Sequence, residues 1–496
     1  MRTTTVVRPL PLLFLAAAAA AETPPRDAFW RLSQINKASI VMLAETGLVP
    51  KPLAAQIAGG IRTVVADEAR PGAKRSGDYL VFEALLIKAS GPDSSRLHTG
   101  RSRQDIGSTS SRMQLREALL STFEHSLEGR QKLLDLAAKH VDTVVPAYTH
   151  GLQAQPISLA HYLIAFASAF ERDNERLSQA YPRINQSPLG AAALATSGFP
   201  LDRKRLAALL GFDGVVENSL DANQVSGMDA QTELTTVLAI SALHVGQFVQ
   251  DIHIQYSDPV PWFTLVPSLT HPSSIMPQKR NPDLLEPLRI LASGVVSGAQ
   301  ASLLVAHNTS TGMNDPKNAS ESLETAHRAR QMYDMYAALV GGLVVNAPRA
   351  LAEVDADYST MTEVADTLLR EAQVPFRIGH HYASEITTYG REHGKKPKDL
   401  SDAEFERIYE QANGGQKLPV PASSIRSALN APDVVRNRKG LGGTQPDEVR
   451  RMLEERKAAL AASRNWLDSR RSDLRQAEQG LESAFRDLAG AARAGE

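Results

Sequence analysis

Between Met228 and Tyr256 the chain carries Leu234, Val237, Leu238, Ile240, Leu243, Val245, Phe248 and Val249, an apolar set that covers nearly the whole circumference of a helix. Such a helix has no face to leave in water, so it belongs inside a large assembly of other helices. Its neighbours fit that setting. From Asp105 onward Leu115, Leu119, Phe123 and Leu127 recur four apart on a helix running towards His140, with Asp105 placed to cap it. Two more long helices are predicted from Leu284 to Ala306 and from Ser320 to Val345. Alternating β-branched runs are few, so the predicted fold is all-α: a long central bundle over residues 106–350, between smaller helical domains at 22–105 and 351–496. At 496 residues the chain is long enough for several domains and a large core.

The last stretch repeats leucine every seven residues, at Leu453, Leu460, Leu467, Leu474, Leu481 and Leu488. Four positions on from these stand Lys457, Arg464, Arg471, Glu478 and Phe485, so the second seam of a coiled coil is mostly charged, and Gly480 interrupts it. The pattern predicts an extra C-terminal helix that docks a narrow stripe on its own protein. Thr444 is its expected cap, with Pro446 in an early turn.

The N-terminus differs in kind. Arg2 and Arg8 lead into an apolar stretch, Leu10 to Ala21, that ends in three alanines before Glu22. This reads as a cleavable signal peptide over residues 1–21, which implies a periplasmic or secreted protein; an Ala-rich extension or a misplaced start is the other reading. The stretch is shorter than a bilayer requires, and no later segment of spanning length lacks charges, so no membrane span is expected.

Composition excludes several kinds of chemistry. With 54 basic and 55 acidic side chains the net charge is -1 and no basic run stands out, so no nucleic-acid partner is expected. The absence of cysteine removes thiol nucleophiles, thiolate metal sites and disulfides. Catalysis must rest on oxygen and nitrogen groups.

Three separated segments carry such groups. His98 to Asp105 is a Gly-containing loop with two guanidinium groups and several hydroxyls, either a polar turn before a helix or an anion site. Tyr148-Thr149-His150 offers an imidazole suited to proton transfer near neutrality, though a lone histidine is more often a surface or satisfied residue than a catalyst. Pro272 to Asp283 sets hydroxyls, an ammonium and an amide along one short loop, the groups needed to pull a proton from a carbon beside a carboxylate; Asn281-Pro282 also reads as a plain helix-start pair.

The last loop resembles the G-S-S-x-M-P-x-K-x-N segment of the fumarase and argininosuccinate lyase superfamily, with Pro272 in place of its glycine. His98 to Arg103 is identical to the start of the H-T-G-R-S-R-N-D-Q segment of argininosuccinate lyases, and Tyr148-Thr149-His150 is similar to their Y-T-H. Pro188-Leu189-Gly190, Glu217 to Ala222 and Val374 to Arg377 extend the resemblance over most of the chain. It implies a homotetramer in which each active site draws on three subunits, and anti elimination of a C–N or C–O bond beside a carboxylate, without metal or organic cofactor, commonly releasing fumarate. It makes Ser273 the base, with Lys279 and Asn281 able to stabilise the aci-carboxylate that follows. It pairs His150 with Glu286 as acid or electrostatic helper, and assigns Ser102, Arg103 and Thr149 to the carboxylates of a dicarboxylate substrate.

The departures fall at positions that choose the substrate. Gln104 stands where argininosuccinate lyases have Asn, and Met313, Asn318 and Glu321 stand where they have the Tyr, Gln and Lys that hold the amino-acid end of the arginine half. A carboxylate at Glu321 repels that end, which predicts an N-substituted aspartate whose amine part is unlike arginine. Other superfamily chemistry, such as carboxymuconate cycloisomerisation, and a catalytically retired homologue with a binding or structural role are the alternatives.

Overall fold

The computed structural model describes residues 25–313 and 319–490. The expected signal peptide and Asn318 lie outside the described residues.

One compact unit holds the chain up to Thr99 together with the segment from Glu482 onward. Its helices are α1 (Ala28–Glu45), α2 (Lys51–Glu68) and α3 (Tyr79–Ser90). Asp27 starts α1 by accepting from the Trp30 N–H at 2.8 Å, and Arg75 holds the same carboxylate at 2.6 Å. α1 is buried on every face, so its Lys37 needs a counter-charge, which Glu482 supplies.

The other unit runs from Gly100 to Leu481. It begins with α4 (Arg103–Lys139), the hairpin β1 (Val144–Thr149) and β2 (Leu152–Ser158), and α5 (Leu159–Ile184). Short pieces follow: β3 (Gln186–Ser187), α6 (Arg203–Leu209), β4 (Gly214–Val215) and α7 (Ser219–Gln224). Then come α8 (Ser226–Gln255), β5 (Phe263–Leu265), the hairpin β6 (Thr270–Pro272) and β7 (Arg280–Pro282), α9 (Leu285–Ala306) and α10 (Ser320–Gly341). The chain continues through β8 (Leu343–Val345), α11 (Ala347–Val354), α12 (Met361–Ala372), α13 (Phe376–Glu392), α14 (Asp402–Ala412), α15 (Ala422–Ala428) and α16 (Ala431–Arg436) to α17 (Pro446–Gly490).

Five long helices, α4, α5, α8, α9 and α10, pack on one another around a single core, the bundle that the apolar spacing predicts. Phe123, Phe170, Phe248, Tyr333 and Tyr336 fill its centre, with Phe170 and Phe248 ring centroids 4.9 and 5.3 Å from that of Tyr336. The Tyr333 hydroxyl is buried and donates to Ser241 Oγ at 2.7 Å. Leu453, Leu460 and Leu467 of α17 are buried in the same core, so the leucine repeat does dock on its own protein. A second core, with Tyr382, Phe405 and Ile425, joins α12 to α15.

Some expectations are corrected. Asp105 is not the cap of α4: Ser102 is, its Oγ accepting from the Gln104 N–H, while Asp105 returns the bond from the third helical position to the Ser102 N–H. The helix expected to reach Val345 stops at Gly341, and Leu343 to Val345 pair with β5 as a strand. Thr444 turns its hydroxyl to the Ser158 N–H at 2.6 Å. Among the described residues α8 and α9 are long and apolar enough to cross a membrane, as core helices of a bundle also are. Leu234, Leu238, Val245, Phe248 and Val249 of α8, and Leu288 and Val295 of α9, spend that apolarity on the core. The remainder stays uncovered: Ile290 and Leu304 are 69% and 73% exposed, and Leu243, Ile254 and Leu303 are exposed with them.

Candidate active site

The first segment is built around the head of α4. Asp105 has no solvent exposure; its Oδ1 accepts from the Ser102 N–H at 2.8 Å, and its Oδ2 from the N–H groups of Gly190 and Ala192 at 2.9 and 3.1 Å. Ser102 and Arg103 are thereby fixed at a helix N-terminus, where the backbone favours an anion. Arg103 is exposed and makes no ion pair among the described residues. Behind it, the Gln104 Oε1 accepts from Gln224 Nε2 at 3.0 Å, and Gln224 Oε1 accepts from the Gly312 N–H at 3.0 Å. This chain ties Gln104 to the backbone next to the exposed Met313. Glu321, in the first turn of α10, has the Arg328 guanidinium 3.8 Å away.

The second segment is the turn of the β1–β2 hairpin. Thr149 pairs with Leu152, and the two residues between them have positive φ, +54° at His150 and +78° at Gly151. Paired left-handed residues make the tight turn that matches strand twist, which lifts His150 into solvent. The hairpin is anchored on α11 and the loop after it. The Tyr148 hydroxyl donates to the Glu353 carboxylate, and Gln153 Nε2 donates to the Val354 carbonyl and to Ser359 Oγ, both at 3.1 Å. A cavity of about 520 Å³ lies under it, lined by Tyr148, Gly151, Tyr162, Asp251 and Trp262 among others; His150 is not in its wall.

The third segment is the β6–β7 hairpin and its loop. His271 pairs with Asn281 and Pro272 with Arg280, and the Ser273 N–H donates to the Lys279 carbonyl at 3.3 Å. Hydrogen-bonded rungs therefore fall at His271/Asn281 and Ser273/Lys279, and Pro272 sits on the rung between, where a missing N–H costs no ladder bond. Because alternate residues share a face, His271, Ser273, Lys279 and Asn281 project to one side. The Ser273 Oγ accepts from the Met276 and Ile275 N–H groups at 3.1 and 3.4 Å. Donors aimed at a hydroxyl oxygen stabilise the negative charge it carries after losing its proton. The loop tip is open, with Ile275 81% exposed.

Glu286 lies exposed in the first turn of α9. Pro287 follows it where helix N–H groups have no partner to lose, and α9 neither starts late nor breaks there. Ser273, Lys279 and Asn281 are thus brought together by one hairpin, and Gln104 is linked through Gln224 to the backbone beside Met313. Among the described residues no hydrogen bond or ion pair joins these two groups to each other or to Thr149 and His150, and none joins His150 to Glu286. Sequence reasoning missed Gln224, whose only signal is its position just after the family-like Glu217 to Ala222 stretch, and missed His271 and Asp283, which flank the loop.

The profile of the family described as Lyase matches residues 76–298, and that described as Argininosuccinate lyase C-terminal matches residues 358–436. The argininosuccinate lyase of Anoxybacillus flavithermus is 33% identical over 431 residues, covering 86% of this chain and 92% of its own. That of Methanocaldococcus jannaschii is 33% identical over 423 residues, covering 84% and 85%. Among solved structures, EDDS lyase in complex with formate superposes with a TM-score of 0.86 at 31% identity, covering 94% of this chain and 93% of that one. A class II fumarase from Schistosoma mansoni shares the fold, with a TM-score of 0.62 at 17% identity over 81% and 94% of the two chains. A helical bundle of this kind, three segments of matching content in matching order, and relatives that align along most of their length agree: the chain belongs to the argininosuccinate lyase family of the fumarase and aspartase superfamily and is a carbon–nitrogen lyase that yields fumarate.

Proposed function

We propose that the enzyme eliminates an amine other than arginine from an N-substituted aspartate. The observation that carries the chemistry is the Ser273 oxygen, which accepts two backbone N–H groups on the hairpin face that also bears Lys279. Ser273, as alkoxide, takes the proton from the carbon β to the leaving nitrogen, and the electrons move into the adjacent carboxylate as a doubly charged aci-carboxylate. Lys279 offsets that charge. Collapse of the dianion breaks the C–N bond and leaves fumarate; the amine departs with a proton supplied by His150 directly or through water. Ser102, Arg103 and Thr149 hold the carboxylates.

The substrate reading rests on the far half of the site. Met313 and Glu321 offer an apolar and an acidic side chain where argininosuccinate lyases offer groups that bind an amino-acid end. EDDS lyase, at a TM-score of 0.86, is a relative named for a different substrate from argininosuccinate, which fits a changed amine pocket.

The assembly belongs to the same proposal. Among the described residues the side chains of His150 and Glu286 make no hydrogen bond or ion pair, and α8 and α9 leave a broad apolar surface open; a homotetramer covers that surface and completes each site with side chains of other subunits. The N-terminal sequence adds export to the periplasm or medium, tested by sequencing the mature N-terminus of the fractionated protein.

The deciding experiment incubates the purified enzyme with fumarate and a panel of amines and follows loss of the fumarate ultraviolet band. Adduct formation with a non-arginine amine, abolished in Ser273→Ala by about three orders of magnitude or more, is the expected result. Activity on argininosuccinate alone overturns the substrate assignment; no addition or elimination with any partner overturns the lyase reading. Mixing inactive Ser273→Ala with inactive His150→Asn subunits tests the assembly, because shared sites regain activity in the mixture and separate ones do not.

A further inference from the structure

His271 lies across the β6–β7 ladder from Asn281, on the face that carries Ser273 and Lys279, and its imidazole is held at both nitrogens. Nδ1 meets the Asp283 carboxylate, and Nε2 lies 3.0 Å from Nδ2 of Asn281. The same Nδ2 lies 3.5 Å from the His271 carbonyl oxygen, which can only accept. The nitrogen end of the carboxamide is therefore the end turned to His271. An amide nitrogen donates and an ionised carboxylate accepts, so the arrangement calls for one form of the ring: neutral, with its proton on Nδ1 and a lone pair on Nε2. With Nδ2 engaged, the Asn281 oxygen faces away from the ring and makes no hydrogen bond among the described residues.

We propose that His271, braced by Asp283, is a positioning residue that turns Asn281 so that its carbonyl oxygen is the group offered to the substrate. Asn281 then serves as an acceptor for the N–H of the amine being expelled, instead of a second donor to the aci-carboxylate. This assignment rests on the lyase reading for its chemical meaning. The leaving nitrogen, on the carbon next to the one that loses its proton, has N–H groups in need of an acceptor once His150 has supplied its proton, and a neutral amide oxygen holds them without taking the proton. Lys279 is left as the cation for the dianion. The division separates the two kinds of charge the reaction presents: the ammonium faces an oxygen, and the carboxylate faces an ammonium.

The test uses the full-length enzyme. His271→Leu fills a similar volume without an acceptor and frees the carboxamide to rotate. His271→Gln returns an acceptor oxygen near the place of Nε2. The expected result is a fall of about tenfold or more in kcat for His271→Leu. KM for fumarate changes little, the melting temperature is unchanged, and His271→Gln recovers most of the lost rate. Wild-type kcat in His271→Leu, or no recovery in His271→Gln, overturns the positioning role while leaving the lyase reading standing.

A second readout needs no turnover. In protein labelled with 15N in its imidazoles, the resonance missing from His271→Gln identifies His271, and it is expected to show a protonated Nδ1 and a bare Nε2. A protonated Nε2 overturns the proposed orientation even if no amine is found to react.

Discussion

The N–H of Gly190 donates to Oδ2 of Asp105 at 2.9 Å, tying the loop after β3 to the head of the helix that presents Ser102 and Arg103. Gly190 has φ +82°, and a Cβ built there comes 2.8 Å from Cγ of Arg203, whose guanidinium reaches the carbonyls of Leu189, Val216 and Glu217. Gly190→Ala is expected to lose about 1–3 kcal/mol of stability, from backbone strain and the displaced arginine together. Urea unfolding of the two proteins measures it.

Asp105 itself should give stability a visible dependence on pH. Burial pushes its carboxyl up to about 6, outweighing the backbone N–H groups and Arg101 that pull it down. The folded state therefore keeps a proton that the unfolded chain releases near the ordinary carboxylate value of 3.8. The contribution is fully present below pH 3.8 and is lost as pH rises through about 6. Comparing wild type with the non-titrating Asp105→Asn by urea midpoint at steps from pH 4 to 7, the stability difference should move against wild type with rising pH, by up to about 3 kcal/mol.

Lys279→Met removes the cation that shares the hairpin face with Ser273. A drop of about 10²- to 10³-fold in kcat is expected, the range found when one stabilising donor is taken from a developing oxyanion. Steady-state kinetics by fumarate absorbance decide it. An effect confined to KM would mean that Lys279 binds the ground state only.

Gln224→Leu cuts the link between Gln104 and Gly312 without adding volume to a site that is already 92% buried by its own fold, since Gln224 is 8% exposed. Both the Gln104 amide and the backbone beside Met313 lose their tether. KM for the amine is expected to rise about five- to tenfold, with kcat changing less. Kinetics with the best amine from the panel provide the check.

The bundle was legible because apolar residues repeat at helical spacing: α4, α8 and α9 start within two residues of the expected positions. Their starts shift because caps are chosen by reciprocal bonding, as when Ser102 and Asp105 satisfy each other's backbone, and spacing alone does not show which partner leads. β6 and β7 have three residues each, too few for alternation to announce a ladder, although the hydroxyl, ammonium and amide side chains between them were plain in the sequence. Gln224 was invisible because its two partners are far from it in sequence and come together only on folding. The companion expected for His150, Glu286, makes no hydrogen bond or ion pair with it among the described residues, and no periodicity reports which distant group a turn residue will meet.

The left-handed backbone at His150 has a practical bearing on how the part in proton transfer proposed for it can be measured. Alanine is strained at that angle, so an alanine scan would mix a weakened turn with a missing imidazole and overstate the chemistry. Asparagine tolerates the geometry and deletes the imidazole alone, which makes it the cleaner control for this corner of the molecule.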